Sequence, residues 1–104
     1  MNSNLKGKTF EREIARYLRE HGYTEARRGQ QYKGGGDSPD VVGLHGFHIE
    51  AKRTEHFRLY ESLRQSIRDC GEGEKPIVIH RKNNEPSVVI MLLDDFMEVI
   101  NGKA

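Results

Sequence analysis

Two extended runs joined by a short turn constrain the fold of this chain more than any other feature. Residues 47–53 alternate apolar and polar side chains, which is the period of a strand with one buried face. His45-Gly46 suits a tight turn before this run. Asp40–Leu44 reads as the partner strand, which Pro39 can open because the first strand residue need not donate a hydrogen bond. The segment therefore predicts a β-hairpin. Three polar side chains share one face of its return strand: His48, Glu50 and Lys52.

Helical periods lie on both sides of this hairpin. Apolar side chains recur every three to four residues over 5–21 and over 57–69, and both segments end at glycines. A short last helix is expected to begin after Asp94 as its N-cap. The side chains expected to face inward are Phe10, Ile14 and Leu18 in the first helix, Tyr60, Leu63, Ile67 and Cys70 in the second, and Phe96, Val99 and Ile100 in the last.

The remaining segments read as strands. Residues 23–28 form a candidate short strand, and the β-branched runs at 77–80 and 88–93 predict a second hairpin. The predicted order is α-β-β-β-α-β-β-α. That order favours an α/β fold in which a mixed sheet is sandwiched by helices.

Composition limits the classes of protein to which the chain can belong. With 104 residues it is expected to form one domain, over residues 1–104. Cys70 is the only cysteine, which excludes an internal disulfide and a cysteine-based zinc site and is consistent with a reducing cytoplasm. No apolar run approaches the length of a membrane span. Residues 1–36 carry eight Lys/Arg against four Glu, a weak indication of a polyanionic partner.

The hairpin places two acids where they can meet. Adjacent strands are about 4.8 Å apart, so Asp40 and Glu50 can converge on one cation. Oxygen ligands suit Mg²⁺ or Mn²⁺, and the Ala51 carbonyl could add a further oxygen. Lys52 could neutralise charge on a phosphate, and Glu11, at the rim of the first helix, could bind metal through water or hold a second ion. These parts suit metal-assisted phosphodiester hydrolysis. A solvated Glu–Lys pair with little effect is the alternative.

Other candidates carry weaker signals. Gly34-Gly35-Gly36 is either a tolerated surface loop or a loop that admits a phosphate backbone closely. His48 could border the site or be a half-buried strand residue. Gln65 could point at the site or lie on the surface. Arg81 and Lys82 could contact phosphate or belong to a solvated turn.

Three segments together resemble a known family. They are Gly7-Lys8-Thr9-Phe10-Glu11-Arg12-Glu13, Gly34-Gly35-Gly36-Asp37-Ser38-Pro39-Asp40 and Ile49-Glu50-Ala51-Lys52. Their combination resembles the PD-(D/E)XK nuclease superfamily, and within it the archaeal-type Holliday junction resolvases and their phage-encoded relatives. The likeness covers roughly residues 5–55, and the later half is similar to the phage-type branch more loosely.

The resemblance implies a restriction-endonuclease-like fold and a Mg²⁺-dependent endonuclease, with Mn²⁺ able to substitute. It further implies a homodimer that cuts branched double-stranded DNA in the cytoplasm of a prokaryotic or phage-infected cell, without a nucleotide cofactor. Asp40 and Glu50 would bind metal, Lys52 would be the catalytic lysine and Glu11 the helix acid. The polar residue that often precedes the glycine loop is not clearly placed, although Gln30 or Gln31 could stand in. The candidate DNA contacts are Lys8, Arg12, Arg28, Gln30, Lys33, Gly35, Arg81 and Lys82.

Three functions follow as alternatives. The first is an endonuclease that resolves four-way junctions. The second is a nuclease with the same core that acts on flaps, nicks or duplex ends. The third is a non-catalytic DNA-binding module that keeps the fold.

Overall fold

A computed structural model of the chain describes residues 3–29 and 38–102, apart from the side chains of Ser3 and Asn4. Within these ranges the order of elements is the predicted α-β-β-β-α-β-β-α. The elements are α1 (Ser3–Glu20), β1 (Arg27–Arg28), β2 (Val41–Val42), β3 (Phe47–Arg53), α2 (Leu59–Asp69), β4 (Lys75–Arg81), β5 (Val88–Met91) and α3 (Leu93–Ile100).

The strands form one mixed sheet in chain order, β1-β2-β3-β4-β5. Only β3 and β4 run parallel, with Glu50 opposite Val78, and the other neighbours are antiparallel. A parallel pair needs a crossover connection, and α2 supplies it between β3 and β4. The predicted α/β fold is therefore confirmed, and it is consistent with a restriction-endonuclease-like architecture.

Helix α1 packs on one face of the sheet. Its predicted apolar stripe of Phe10, Ile14 and Leu18 is buried, and it forms one cluster with Ile49 and Ile79 from the central strands. Side chains alternate across a strand, so the neighbours of Ile49 on β3 face the other side of the sheet. The α1 cluster thereby fixes which face of β3 carries its polar residues.

Helix α2 packs on that other face. Of its predicted core residues, Leu63 is buried, but Tyr60 is 71 % exposed and Ile67 is also exposed, so those two predictions are wrong. Ser62 and Ser66 are buried instead. Two small side chains one turn apart let the helix lie close to the sheet, while Tyr60 and Ile67 turn outward.

The first hairpin forms as predicted but with a shorter first strand. Strand β2 spans only Val41–Val42 rather than the predicted Asp40–Leu44. Strand β1 spans only Arg27–Arg28 rather than the predicted residues 23–28. Gly43 follows β2 with φ +99°, and a Cβ there would come within 2.5 Å of the Ala26 backbone. Only glycine avoids both the strained backbone and this clash. The close approach is what brings β1 and α1 alongside the hairpin.

Helix α3 departs from the prediction. It begins at Leu93 after Leu92 as N-cap, with no side-chain capping bond, so Asp94 is not the cap but lies in the first turn. None of its residues is buried, and Phe96 and Ile100 are exposed rather than inward-facing. Its acidic side is held to the start of β4 by a 2.8 Å ion pair between Glu98 and Lys75. No helix in the described ranges is long and apolar enough to cross a bilayer.

Candidate active site

Asp40 is fixed at the start of the first hairpin. Its amide donates to the Ile49 carbonyl at 2.8 Å, which begins the β2–β3 pairing. Its side-chain Oδ2 accepts the Ala51 amide, also at 2.8 Å. The carboxyl group is buried against β3, so both its backbone and one of its oxygens are held by the neighbouring strand.

Glu50 meets Asp40 as the spacing predicts. It lies on β3 and is only 2 % exposed, and its carboxyl group hydrogen-bonds to that of Asp40. Burial raises the pKa of Asp40 from 3.8 to about 6, and it raises the pKa of Glu50 as well. Two buried carboxyl groups in contact hold a proton more tightly than exposed ones, because the fully ionised pair is poorly solvated and repels itself.

Lys52 shares this face two residues further along. Its Nζ donates to Gln65 Oε1 of α2 at 3.1 Å. Its positive charge lowers the pKa of both Asp40 and Glu50, although burial outweighs that effect. Gln65 is half-buried, so the structure brings it to the candidate site, as one of its two interpretations expected.

His48 occupies the deep end of the same row. Its Nε2 lies 3.0 Å from Glu50 Oε1, and the ring is 1 % exposed. The sequence left open whether it borders the site or is a half-buried strand residue. The structure places it in direct contact with Glu50 and fully buried.

Glu11 lies at the rim of α1 but has a different partner. Its Oε1 accepts from Arg28 Nε at 2.9 Å, so an acid expected near the metal and a base expected near DNA form an ion pair. The negative charge of Glu11 also raises the pKa of Glu50. Glu11 is thus close enough to Glu50 for its charge to affect the pKa of that carboxyl group.

The donor set fits a hard divalent cation at its centre. Both donors are carboxyl groups that are buried and close together, and burial raises the pKa of each because it removes the water that would solvate their charges. A bound cation would compensate these poorly solvated charges. The Ala51 amide points toward Asp40, and the amide and carbonyl of a paired strand residue face the same neighbour, so its carbonyl faces this side too. Among the described residues, no group of three or more His, Cys, Asp and Glu side chains is arranged to hold a metal. Glu11 therefore does not complete a three-ligand cluster.

Two of the candidate DNA contacts are paired with acids of α1: Arg28 with Glu11 and Arg81 with Glu13. Lys8, Arg12 and Lys82 are exposed. Arg81 bonds to Glu13 at 3.3 Å and to the Glu85 carbonyl at 3.1 Å. The other three candidates lie outside the described residues: Gln30, Lys33 and Gly35.

Sequence reasoning missed two features of α2. Ser66, buried beneath β3, shares its hydroxyl hydrogen between the carbonyls of His48 and Ile77, at 3.3 and 3.2 Å. The spacing of Ser62 and Ser66, one turn apart, was the available signal. The helix also carries two exposed cations, Arg64 and Arg68, and its N-cap residue Arg58 is a third.

Comparison with known proteins agrees with the predicted superfamily and with the fold. Over residues 2–103 the chain matches the model of a family described as "Phage putative PDDEXK endonuclease". No curated protein matches it, and no solved structure matches it. The family match confirms the predicted PD-(D/E)XK superfamily and its nuclease activity, and it does not extend to the Holliday junction resolvases. The chain belongs to this family of phage PD-(D/E)XK endonucleases.

Proposed function

We propose that this nuclease is a Mg²⁺-dependent endonuclease that cuts branched double-stranded DNA, with the four-way junction as its substrate. The observation that carries the metal-dependent chemistry is the buried contact between the Asp40 and Glu50 carboxyl groups, with Lys52 beside them on β3. The choice of a four-way junction rests on the resemblance of the motifs to junction resolvases.

The residues divide the chemistry among them. Asp40, Glu50 and the Ala51 carbonyl would hold the cation, which when bound supplies Lewis acidity and lowers the pKa of a bound water. Lys52 stabilises the negative charge that develops on the phosphate oxygens. Gln65 holds the Lys52 ammonium on the correct side of the strand through the 3.1 Å hydrogen bond. Glu11, at the rim of α1, would bind the metal through water or hold a second ion, and its carboxylate is paired with Arg28.

The direct test compares four-way, flap, nicked and linear duplex DNA side by side in Mg²⁺. Wild-type protein should cut the four-way junction fastest, while Glu50→Gln and Lys52→Ala should lose cleavage and keep junction binding. Glu61→Gln is the matched control, because Glu61 is an exposed acid of α2 that pairs with the exposed Arg58. Full cleavage by Glu50→Gln would overturn the assigned chemistry.

Two outcomes would select the alternatives. Preferred cutting of flaps, nicks or duplex ends would favour a nuclease with the same core and another substrate. Absence of both cleavage and Mg²⁺ or Mn²⁺ binding by calorimetry would favour a non-catalytic DNA-binding module. DNA binding in every case should weaken steeply with salt, because phosphate contacts release counterions.

We further propose that the protein acts as a homodimer, because paired cuts across a junction need two active sites. Strand β5 supports this proposal: it ends the sheet, pairs only with β4 among the described residues, and exposes Val88 and Val89. An unpaired apolar edge can pair antiparallel with the same edge of a second copy across a two-fold axis.

We propose that helix α3, which follows β5 directly in the chain, extends this interface. Its apolar side chains face solvent, with Leu93 at 74 % and Ile100 at 61 % exposure, and its acidic side is turned toward Lys75. Stable interfaces bury about 800 Å² per partner. An edge strand and an apolar helix face together can approach that area, and neither could alone. We name the surface formed by Val88, Val89, Leu93, Phe96, Met97 and Ile100 the β5–α3 surface.

Sedimentation at micromolar concentration tests the dimer. Wild type should sediment as a dimer, and Leu93→Glu and Ile100→Glu should give folded monomers. Tyr23→Glu is the control, since Tyr23 is similarly exposed but lies beside β1, at the opposite edge of the sheet. A wild-type protein that stays monomeric both alone and on DNA would contradict the dimer.

A further inference from the structure

His48 stands in an unusual position for a buried histidine. It lies on the same face of β3 as Glu50 and Lys52, at the end of the row furthest from Lys52. Its Nε2 is 3.0 Å from Glu50 Oε1, and neither side chain is more than 3 % exposed. The contact is therefore shielded from bulk solvent.

The contact with His48 holds the Glu50 carboxyl group on the side away from Lys52. Its Oε1 is hydrogen-bonded to the imidazole of His48, and the carboxyl group is also hydrogen-bonded to Asp40. An ionised carboxylate can only accept hydrogen bonds, so Nε2–H is the donor when Glu50 carries its charge. A glutamate side chain loses about 1.5–2 kcal/mol of rotamer entropy when it is ordered. His48 orders this side chain before a metal binds.

The imidazole is itself on a rigid support. The His48 carbonyl accepts from Ser66 Oγ at 3.3 Å, and that same hydroxyl reaches the Ile77 carbonyl of β4. β3 is paired along its whole length with β4. The backbone that carries the ring is therefore held at the centre of the sheet.

We propose that His48 is a positioning residue that pre-orients Glu50 for divalent-metal binding. The proposal rests on the proposed function, in which Glu50 is a metal ligand. Groups that hydrogen-bond a ligating carboxylate orient it, and their loss typically weakens metal affinity by about 10- to 100-fold. Glu50 is expected to depend on His48 in this way because Asp40 alone can hold it from only one side.

Three substitutions separate orientation from packing. In His48→Gln the amide nitrogen reaches the position of Nε2 and can still donate to Glu50. In His48→Asn the amide stops one bond short, and in His48→Leu there is no donor. Ser66→Ala is the control, because it disturbs the packing under His48 without removing the contact with Glu50.

The readout is Mn²⁺ binding by calorimetry without DNA, together with melting temperature. The Asn and Leu variants should bind Mn²⁺ ten-fold or more weakly, His48→Gln should bind within a few-fold of wild type, and Ser66→Ala should melt lower with unchanged affinity. If His48→Asn or His48→Leu binds Mn²⁺ with wild-type affinity, the inference about His48 is wrong, but the proposed function is not affected. An equal loss of affinity in His48→Gln and Ser66→Ala would also overturn the inference, since packing would then be the cause. Should His48→Leu fail to fold, the Asn–Gln comparison decides. If the wild type binds no Mn²⁺, the proposed function itself fails.

Discussion

Replacing Asp40 with asparagine should make the metal-free protein more stable while it destroys the proposed activity. Asparagine is nearly the same shape, and its oxygen can still accept the Ala51 amide. It cannot ionise, and its amide can donate to Glu50. The substitution therefore removes a buried negative charge from the pair and leaves the surrounding hydrogen bonds in place.

The magnitude follows from the pKa of Asp40. Burial raises this pKa from 3.8 to about 6, so the native state binds the proton more tightly than the unfolded state. The free energy of unfolding must then fall as pH rises through this interval, and it levels off once both states are ionised. At pH 7 the difference in pKa corresponds to about 3 kcal/mol of lost stability, and at pH 4 to well under 1 kcal/mol. The stability advantage of Asp40→Asn should therefore grow by about 2 kcal/mol between pH 4 and pH 7 and change little above pH 7.

Urea unfolding in EDTA at pH 4, 5, 6, 7 and 8 measures this advantage. Wild type and Asp40→Asn are compared at each pH, so titrating groups that do not interact with Asp40 cancel. Glu61→Gln, an exposed acid, should show no such trend. The reasoning fails if the advantage of Asp40→Asn is independent of pH, or if it shrinks as pH rises.

Two further perturbations test the local geometry. Gln65→Leu removes the acceptor that holds Lys52 at 3.1 Å and should slow cleavage several-fold, seen in single-turnover kinetics, without changing Mn²⁺ affinity. Gly43→Ala should destabilise the fold by more than about 2 kcal/mol, because the added Cβ meets Ala26 at 2.5 Å in addition to the strained φ. Gly46→Ala has the strained φ with nothing within 4 Å, so urea unfolding should show a loss of only about 1–2 kcal/mol.

The sequence predicts the centre of the fold well because local patterns determine it. The alternation over 47–53 specifies β3, and the glycine at 46 specifies the turn before it. Once two strands of a hairpin are placed, the contact between Asp40 and Glu50 follows from strand spacing alone. The approach of Gln65 to Lys52 depends also on how the crossover helix α2 packs on the sheet. The sequence does not specify that packing, so it could not decide whether Gln65 points at the site or lies on the surface.

The periphery could not be predicted, because periodicity identifies an apolar face without specifying its partner. Helix α3 has a regular apolar stripe, and that stripe faces outward. Tyr60 fits the apolar period of α2, but the buried side is formed by Ser62 and Ser66. A small side chain against a sheet leaves no hydrophobic signal. The ion pair of Glu11 with Arg28 joins residues seventeen positions apart, beyond any local rule.

The core on the α1 side and the polar row on the α2 side have opposite effects on stability. Phe10, Ile14 and Ile49 bury apolar surface, which stabilises the fold by about 25 cal/mol per Å². The Asp40–Glu50 pair opposes this increasingly as pH rises from about 4 to 6, because these buried carboxyl groups ionise more readily in the unfolded state. A ligand that binds only the native state stabilises it by an amount set by its affinity. A divalent cation at this pair should therefore raise the stability of the wild type most at the pH where the metal-free protein is weakest, and should do so little in Asp40→Asn.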